Sequence, residues 1–317
     1  MQRIFRDVAG RCLAPRGSVV CIGAFDGVHR GHQAVLQCVR ERAAALDVAA
    51  IAITFEPVPR EFFARDTGLP RLAAAGEKVN LLFEAGMQDV LSLRFNAKLA
   101  AMDATDFVQR VLRERVNARE IWVGAGFRFG HKRAGDLSLL QDIGKQAGFV
   151  ADEVPPFELA GERVSSTRLR GLLAQGDFDA AAMLLGRRFA IGGHVVHGQQ
   201  LGRKLGYPTA NVRLGRRVSP VNGIFAVRVH GVSAQPHAGV ASLGVRPTVN
   251  GKEPLLEAHL FDFDGDLYGR RIEVEFVAKL RDEEKFPDLD TMVRQIDLDA
   301  ASARRILGVA ATAGAGV

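Results

Sequence analysis

The sequence predicts an α/β domain built on a parallel sheet, followed by a small antiparallel β-barrel that a C-terminal helix covers. From residue 19 to about residue 185, short apolar runs alternate with helical patterns, as in parallel sheets covered on both faces. Short β-type runs then follow one another, separated by Gly, Pro and Asn turns, as in small barrels. We therefore expect two domains, residues 1–185 and residues 186–317.

The elements of the first domain follow from the period of its apolar residues. Strands are predicted at residues 19–22, 49–54, 90–93, 121–123 and 149–154. Helices are predicted near residues 33–46, 77–85, 105–115 and 137–147. Asp103 and Asp136 precede two of these helices as capping residues. Because parallel sheets of this kind bind ligands beyond the carboxyl ends of their strands, the loops after the strands are the candidate sites.

Composition and charge narrow the class of protein only slightly. The net charge of +6 suits nucleic acid or anionic nucleotides equally, and no dense basic tract interleaved with aromatic residues appears. The first residues lack the apolar core of a secretory signal, and the apolar tail at residues 306–317 is too short to cross a membrane. Cys12, Cys21 and Cys38 lack metal-ligand spacing, which predicts reduced thiols in a cytoplasmic protein.

Residues 23–32 form the most informative stretch, Gly-Ala-Phe-Asp-Gly-Val-His-Arg-Gly-His, between a predicted strand and a predicted helix. Backbone N–H groups at a helix start attract phosphate. The main chain can approach a ligand closely at three glycines, Gly23, Gly27 and Gly31. His29 and His32, three residues apart, can point to one side and donate to phosphate oxygens. Such donors stabilise the charge that an α-phosphate gathers under in-line attack.

This stretch is of the HxGH type. It matches neither GxGxxG nor GxxxxGK[ST], which disfavours a Rossmann dinucleotide site and a P-loop. The alternative interpretation is that one histidine caps the helix and the other lies on the surface. The complete string after a strand favours the phosphate site.

Two further stretches follow later strands of the first domain. Residues 123–136 are rich in glycine and cations around Phe-Arg-Phe, and they can wrap a nucleotide or form only a flexible basic turn. Residues 164–170, Val-Ser-Ser-Thr-Arg-Leu-Arg, lead into a helical run. Capping accounts for at most one of the three hydroxyls. The others, with the two arginines, suit the phosphates of a nucleotide.

Together, GxFDGVHxGH, FRFGxxRxG and SSTxxR resemble the FAD synthetase module of bacterial bifunctional riboflavin kinase/FAD synthetases, a family of HxGH nucleotidyltransferases. The resemblance implies that His29 and His32 stabilise the reacting phosphate. It also implies that Ser166, Thr167 and Arg170 hold the triphosphate of ATP. We assign nucleotide binding also to Gly23, Phe25, Asp26, Gly27 and Arg128. The chain departs from the family at Gly126, where Asp or Asn is usual, so a polar side chain is missing there.

The second half has the pattern of a barrel. A short helix is predicted at residues 178–185, ending at Gly186. Strands are predicted at residues 189–196, 224–229, 239–243, 256–261 and 272–276. Residues 288–307 have helical periodicity, and we expect this helix to pack over the barrel.

Residues 198–211 are predicted to form a long loop that can close over phosphates. The residues assigned to nucleotide binding in it are Gly198, Arg203, Lys204, Gly206 and Pro208. Thr209 and Asn211 stand two apart in extended chain, where their oxygens can share Mg²⁺ beside nucleotide phosphates. The alternative is that Pro208 marks no more than a turn.

Residues 256–269 contain a candidate general base. On a strand, Glu257, His259 and Phe261 face one way, so the Glu257 carboxylate can point into a pocket and accept the proton of an attacking alcohol. The aspartates from Asp262 to Asp266 suggest calcium. However, the glycine stands at the fourth position and not the sixth, which argues against an EF-hand.

The PTAN string, residues 257–263 and residues 280–286 resemble the riboflavin kinase module of the same family, so six motifs in the expected order cover nearly the whole chain. The resemblance implies that Thr209 and Asn211 hold Mg²⁺ and ATP phosphates. It also implies that Glu257 is the base for the ribityl 5′-hydroxyl and that Arg281 lies near the flavin. The expected activity phosphorylates riboflavin to FMN and adenylylates FMN to FAD, with ATP in both steps.

The expected partners are the small molecules riboflavin, FMN and ATP, without nucleic acid or membrane, and the chain is a monomer or transient oligomer. One alternative is an adenylyltransferase for another phosphate ester, with a regulatory barrel. The other is an RNA-binding or flavin-sensing protein without turnover. Glu257 argues against both, because neither protein needs a carboxylate beside a metal-and-phosphate loop.

Overall fold

The computed structural model describes residues 2–64, 68–198, 207–214, 218–248 and 251–310. The chain divides into two units, one of Met1–Leu69 and Ala73–Ser166, the other of Pro70–Leu72 and Thr167–Val317. The first unit contains a parallel sheet and the second a closed antiparallel barrel, so the predicted fold class is confirmed.

All neighbouring strands of the first unit's sheet run parallel, in the order β1-β4-β3-β2-β5-β6. The strands are β1 (Arg3–Phe5), β2 (Ser18–Ile22), β3 (Ala49–Glu56), β4 (Asp89–Arg94), β5 (Ala118–Gly124) and β6 (Val150–Val154). A separate antiparallel pair, β7 (Glu158–Leu159) and β8 (Glu162–Arg163), follows them in the chain. The strand β1, whose three residues are too few to show a period, was not predicted. From β2, the chain adds β3 and β4 on one side and β5 and β6 on the other, so the strand order reverses between β2 and β5.

The helices of the first unit begin largely where capping residues stand. They are α1 (Arg30–Ala45), α2 (Pro59–Phe63), α3 (Ala75–Glu84), α4 (Ala97–Ala100), α5 (Ala104–Phe107) and α6 (Leu137–Ala147). The predicted caps are confirmed, because Asp103 accepts a hydrogen bond from Asp106 N and Asp136 from Leu139 N. The helix predicted at residues 105–115 differs, since α5 continues as a π-helical turn, Val108–Arg115.

Alternate residues of β2 pack into two separate hydrophobic cores. Val20 and Ile22 pack into one cluster and Val19 and Cys21 into the other, and all four are buried. Successive side chains of a strand point to opposite faces. The sheet is therefore covered on both faces, as its apolar strands predict.

The strands of the second unit close into a barrel in the order β10-β13-β12-β11-β14-β9. They are β9 (Ala190–Val196), β10 (Ala210–Arg213), β11 (Gly223–His230), β12 (His237–Thr248), β13 (Gly251–Leu260) and β14 (Arg271–Arg281). The prediction of a loop through Asn211 is wrong at its end, because Ala210 and Asn211 lie in β10. Strand partners on both sides, β13 and β9, supply the backbone hydrogen bonds that four residues cannot specify locally.

Two helices pack onto the barrel. The helix α8 (Phe178–Leu185) ends at Gly186, in the left-handed conformation with φ of 74°, and it places Phe178 against Phe225 and Phe276. The C-terminal helix α9 (Leu289–Leu307) packs Ala303 against a small barrel cluster, so the predicted cover is confirmed. No described helix has the length and hydropathy needed to cross a bilayer.

Two candidate active sites

The strand order places two of the predicted site loops at one edge of the parallel sheet. Residues 23–29 follow the carboxyl end of β2, and residues 125–136 follow that of β5. The order of strands reverses between these two strands. In open parallel sheets the crevice at such a reversal is the usual ligand site.

His29 and His32 come together at the start of α1. Their rings stack with centroids 3.7 Å apart, and His29 Nδ1 accepts a hydrogen bond from His32 N at 3.3 Å. His29 therefore caps the helix, as the alternative interpretation has it. With Nδ1 used as an acceptor, a neutral His29 ring carries its proton on Nε2, which remains a donor on the other side of the ring.

His32 is not a surface residue. Within the described part of the chain, its buried Nδ1 has no hydrogen-bond partner. Burial lowers the pKa of His32 well below its usual range, and His29 and Lys78 lower this pKa further. His32 is therefore neutral near pH 7. A buried ring nitrogen without a partner costs free energy that a ligand or water can relieve.

Phe25 and Asp26, both buried, hold the shape of this loop. The Phe25 ring contacts the His32 ring edge-on, with centroids 5.2 Å apart. The Asp26 carboxylate accepts a hydrogen bond from Ala73 N at 3.2 Å, and its backbone carbonyl accepts one from Ser166 Oγ at 3.3 Å. The carboxylate thus ties the loop to the chain before α3, and the carbonyl ties it to the start of the helix α7 (Ser166–Gln175).

Three glycines allow the close packing of the histidine loop. A Cβ at Gly23 would stand 3.1 Å from the Phe25 ring, and a Cβ at Gly31 would stand 3.3 Å from the His29 ring. Gly27 has a φ of 81°, which favours glycine. The predicted glycines therefore bring the histidines into place.

The loop after β5 is open where the sequence departs from the family. Gly126 has a φ of 72°, and a Cβ there would meet no atom within 4 Å. Its N–H donates to Glu153 Oε2 at 3.1 Å. Arg128, predicted to bind nucleotide, forms an ion pair with Asp136 at 3.0 Å. A carboxylate from β6 thus stands beside the open position.

The remaining predicted residues of the first site lie on α7. Ser166 is its first residue, and Thr167 and Arg170 follow in the second unit. Arg170 Nε donates to Pro70 O at 2.6 Å. The hydroxyls thus stand at a helix start, as the sequence predicts.

An aromatic cluster beyond β3 and β4 was missed at the level of sequence. It consists of Phe55, Phe62, Phe63 and Phe95, whose contacting rings have centroids 5.3 to 5.8 Å apart. The Phe63 residue is 70% exposed. Phe55 lies at the carboxyl end of β3 and Phe95 just after that of β4, and Phe62 and Phe63 lie in α2, the first helix after β3. The placement of all four after these two strands was the available signal.

The barrel contains a cavity of about 510 Å³ beside the PTAN segment. Gly198, Pro208, Thr209 and Asn211 line one side, and residues 263–268 line the other. Buried Asn211 Oδ1 has no hydrogen-bond partner among the described residues. A Cβ at Gly198 would stand 2.5 to 2.7 Å from the Asn211 side chain, so only glycine fits there. Arg203, Lys204 and Gly206 lie outside the described residues.

A second cavity of about 320 Å³ contains Glu257. In the barrel, Glu257 pairs across the strands with Asn211 on one side and Ser242 on the other. Thr209 lines both cavities. The two cavities therefore adjoin at the predicted metal and phosphate residues, with the carboxylate close to the junction.

Hydrogen bonds and ion pairs fix several polar side chains that line the second cavity. Arg281 donates to both carboxylate oxygens of Asp299 at 2.8 to 3.1 Å, and its guanidinium lies 5.6 Å from the Phe286 ring centroid. Burial lowers the pKa of His259, although a hydrogen bond with Pro208 O opposes this shift. Burial and a hydrogen bond to Asp297 raise the pKa of Tyr207 to about 12.

The aspartates after β13 have other partners than a metal. Asp262 forms an ion pair with Arg304 at 2.8 Å, and Asp266 accepts a hydrogen bond from Tyr268 N at 2.8 Å. In the described ranges, no group of three or more His, Cys, Asp and Glu side chains could hold a metal ion. Asp262 and Asp266 are thus held by contacts within the second unit.

The two modules differ in their candidate sites, one with stacked imidazoles at a helix start and one with a carboxylate in a cavity that shares Thr209 with a second cavity, and this is the arrangement of a transferase with two modules. The model of the FAD synthetase family matches residues 13–168, and that of the riboflavin kinase family matches residues 185–307. The chain belongs to the family of bifunctional riboflavin kinase/FMN adenylyltransferases.

Relatives of known name span nearly the whole chain. A bifunctional riboflavin kinase/FMN adenylyltransferase of Pseudomonas fluorescens is 48% identical over 292 residues, 92% of this chain and 93% of its own. That of Escherichia coli (strain K12) is 43% identical over 308 residues, 97% of this chain and 98% of its own. A crystal structure described as a macrolide-efflux protein from Streptococcus pneumoniae has a TM-score of 0.79 at 29% identity, covering 96% of this chain and 98% of that one.

Proposed function

We propose that this chain makes FAD from riboflavin in two steps, one in each module. The barrel transfers the γ-phosphate of ATP to riboflavin, giving FMN and ADP. The parallel-sheet module transfers AMP from a second ATP to FMN, giving FAD and pyrophosphate. The observation that carries the proposal is the junction of two cavities at Thr209, with Glu257 beside it. We keep modules of residues 1–185 and 186–317 as part of the proposal, with the family matches at residues 13–168 and 185–307 falling inside them except at residue 185.

In the barrel, we assign ATP to the larger cavity and the flavin to the smaller one. The ribityl 5′-hydroxyl then meets the γ-phosphate near Thr209. Glu257 accepts the hydroxyl proton as the oxygen attacks phosphorus, and the bond to the β,γ-bridging oxygen breaks to release ADP. Arg281, fixed by Asp299, lines the flavin cavity together with apolar side chains from α9.

The residues at the junction fit Mg²⁺. Asn211 Oδ1 is buried without a hydrogen-bond partner among the described residues, and the Thr209 side chain lies two residues away. Both are hard oxygen ligands of the kind that Mg²⁺ takes beside nucleotide phosphates. When bound, Mg²⁺ offsets the negative charge of the phosphates. We therefore propose Thr209 and Asn211 as its protein ligands.

In the parallel-sheet module, His29 and His32 donate to oxygens of the α-phosphate. An oxygen of the FMN phosphate bonds to the α-phosphorus as the bond to pyrophosphate breaks, and fixed donors stabilise the charge that gathers there. The assignment of Ser166, Thr167 and Arg170 to the triphosphate stays part of the proposal. The aromatic cluster of Phe55, Phe62, Phe63 and Phe95 offers ring faces and edges for the isoalloxazine of FMN.

We further propose that the enzyme works in the cytoplasm, as a monomer or transient oligomer. Cys12, Cys21 and Cys38 are free thiols, as the reducing cytoplasm maintains.

The test separates the two reactions by their substrate. The protein is incubated with ATP, Mg²⁺ and either riboflavin or FMN, and the flavins are resolved by chromatography. We expect Glu257→Gln to form FMN at least about 100-fold more slowly, the usual loss of a general base, and to convert supplied FMN to FAD at the wild-type rate. The matched control is Glu273→Gln, at an exposed glutamate of the same barrel. Undiminished FMN formation by Glu257→Gln would show that Glu257 is not the general base.

A further inference from the structure

His259, in β13, is a residue that the proposed reaction does not use. It lies two residues after Glu257, and because alternate side chains of a strand point to one face, both line the smaller cavity. The His259 Nδ1 lies 2.9 Å from the backbone oxygen of Pro208. A carbonyl oxygen can only accept a hydrogen bond, so Nδ1 carries a proton in this contact and is the donor. The imidazole therefore joins the strand of the proposed general base to the segment that leads into β10.

The bond to Pro208 lies just beyond the point where the two strands pair. Asn211 pairs with Glu257 across β10 and β13, so strand pairing holds one proposed metal ligand opposite the proposed base. Thr209, the other proposed ligand, precedes β10 and lies outside this pairing. The His259 side chain thus ties the two segments together where strand pairing does not.

The same bond fixes the peptide group that leads to Thr209. Proline has no N–H, so the carbonyl is the only polar backbone group that Pro208 can use. This carbonyl and the N–H of Thr209 belong to one planar group, which extends from the Cα of Pro208 to the Cα of Thr209. A hydrogen bond that holds the oxygen therefore limits rotation of the whole group. It also limits the direction in which the Thr209 side chain leaves the backbone.

Aromatic neighbours hold the imidazole in place. The Tyr207 ring packs edge-on against the His259 ring with centroids 5.2 Å apart, and the Tyr207 hydroxyl donates to Asp297 of α9. The Phe261 ring also packs edge-on against the imidazole, with centroids 5.9 Å apart. These contacts limit rotation of the imidazole, so its donor nitrogen stays directed at Pro208.

We propose that His259 is a positioning residue for phosphoryl transfer, which holds Thr209 in place relative to Glu257 by donating to Pro208 O. This inference rests on the proposed kinase function, in which Thr209 meets the phosphates and Glu257 takes the hydroxyl proton. A displacement of about 1 Å in a reacting geometry can lower a rate about 100-fold, so a residue that acts through its neighbours can matter. The consequence is that the reaction requires a donor at the Nδ1 position and not the imidazole ring as such.

The first test uses three substitutions that separate the donor from the ring. In His259→Asn, the amide nitrogen is attached to Cγ, as Nδ1 is, so it can still donate to Pro208 O. In His259→Gln, the amide nitrogen is attached to Cδ, one bond further from the backbone. His259→Phe keeps a ring of similar shape without any donor. The Asn variant therefore restores the bond that the other two variants lack.

Riboflavin phosphorylation is measured for each variant at several Mg²⁺ concentrations. We expect His259→Gln and His259→Phe to lose at least about tenfold in kcat and His259→Asn to stay within about threefold of wild type. The Mg²⁺ concentration for half-maximal rate should rise in the Gln and Phe variants only, because Thr209 is a proposed ligand. A purely structural role would lower the melting temperature and leave the kcat of the folded protein unchanged. An Asn variant as slow as the other two, or a Phe variant with wild-type kcat, would overturn the proposal.

The matched control is His194→Phe. His194 is an exposed residue of β9 whose Nδ1 also lies near a carbonyl oxygen, that of Gly269, at 3.1 Å. It is not among the described residues that line either cavity. We expect its kcat and its Mg²⁺ requirement to match the wild type. An equal loss in His194→Phe would also overturn the proposal, because the effect would then not be specific to the bond at Pro208.

The second test does not depend on activity. In the full-length wild type with nitrogen-15-labelled histidine, at about pH 8 and so above the ordinary histidine pKa of about 6.5, the two ring nitrogen shifts show which nitrogen carries the proton. We expect the proton on Nδ1 of His259, with the signal assigned through its own backbone resonances. A proton on Nε2 alone would overturn the proposal, and this result decides if no variant folds. Failure of the wild type to form FMN would refute the proposed function, while the nitrogen shifts would still test the bond to Pro208 O.

Discussion

We assign two purposes to the His29 ring, one to each nitrogen. Its Nδ1 caps α1 by accepting from His32 N, and in the proposed reaction its Nε2 donates to the α-phosphate. The sequence predicted the pair and its place at a helix start, because the spacing and the preceding strand are local properties. The stacking and the burial of His32 were not predictable, since they depend on Phe25 and on the distant α3.

The two purposes of His29 can be separated by amide substitutions. In His29→Asn, the amide oxygen can replace Nδ1 as the cap, so we expect stability within about 0.5 kcal/mol of wild type. FAD formation should fall about 100-fold or more, because the donor to the phosphate is lost. In His29→Ala, loss of the cap should cost about 1 kcal/mol in addition. Urea unfolding measures the stability of each variant, and FAD formation from FMN measures its activity. Equal stability of the Asn and Ala variants would contradict the role of His29 as the helix cap.

The lowered pKa of His32 makes the stability of the first unit depend on pH. The unfolded chain, with an ordinary histidine pKa of about 6.5, binds a proton that folded His32 rejects, so stability is full above pH 6.5 and falls as the pH drops below it. Fluorescence of the single tryptophan, Trp122 in β5, follows this unit. We expect His32→Gln to flatten the decline of the urea midpoint between pH 6.5 and 5. An equally steep decline in His32→Gln would contradict the assignment.

Gly198 is expected to be indispensable for the kinase reaction. A Cβ there would overlap the Asn211 side chain, the proposed ligand of Mg²⁺. We therefore expect Gly198→Ala to reduce riboflavin phosphorylation about tenfold or more and to leave FMN adenylylation unchanged. Gly171→Ala is the control, because a Cβ at this glycine of α7 meets no atom within 4 Å. Full kinase activity in Gly198→Ala would show that Asn211 can move without loss.

Among the elements, α9 both packs over the barrel and lines the smaller cavity. Its Asp299 binds Arg281 of β14, its Arg304 binds Asp262, and its Met292 and Ile296 line the smaller cavity, which we assign to the flavin. The sequence predicted the helix and its place over the barrel from apolar periodicity. It did not predict the ion pairs, because charged residues on an amphipathic helix are ordinarily solvated.

Breaking the pair between Arg281 and Asp299 should affect stability and binding together. We expect Asp299→Ala to lower barrel stability by up to about 3 kcal/mol, because a largely buried guanidinium loses the nearer of its two carboxylates and keeps only Glu284. The KM for riboflavin should rise, because α9 is then held less firmly against the cavity that it lines. Thermal unfolding and kinase kinetics test this, with Asp290→Asn on the same helix as control. A raised KM at unchanged stability would mean that Asp299 acts on the flavin alone.

Elements with strong local signals were predicted closely, and elements that depend on partners were not. The predicted helix at residues 137–147 agrees with α6, which Asp136 caps and Gly148 ends. The strand β10 was missed because its four residues follow a loop rich in glycine and proline. Lys78 was missed for a related reason. A lysine in a helical pattern predicts a solvated position, and only the fold shows that it is buried.

For the whole molecule, the sequence predicted both architectures and their order, because each motif is compact in sequence. It did not predict the two adjoining cavities or the four-phenylalanine cluster, whose residues are brought together only by the folding of each unit.

Separate sites imply that two inactive variants can complement each other in solution. The His29→Ala, His32→Ala double variant should form FMN but no FAD, and Glu257→Gln should do the reverse. We expect a mixture of the two to convert riboflavin to FAD after a lag, because FMN leaves one molecule and binds another. A mixture that accumulates FMN but never forms FAD would show that FMN is not released between the steps.

Thr209, in the wall of both barrel cavities, suggests a route to selective inhibition. A synthetic compound that joins an isoalloxazine to a nucleoside diphosphate through a short bridge would fill both cavities at once and span the junction. It would combine the contacts of two ligands while losing the translational freedom of only one. Such a compound should inhibit riboflavin phosphorylation by the purified protein at lower concentrations than either of its two parts alone.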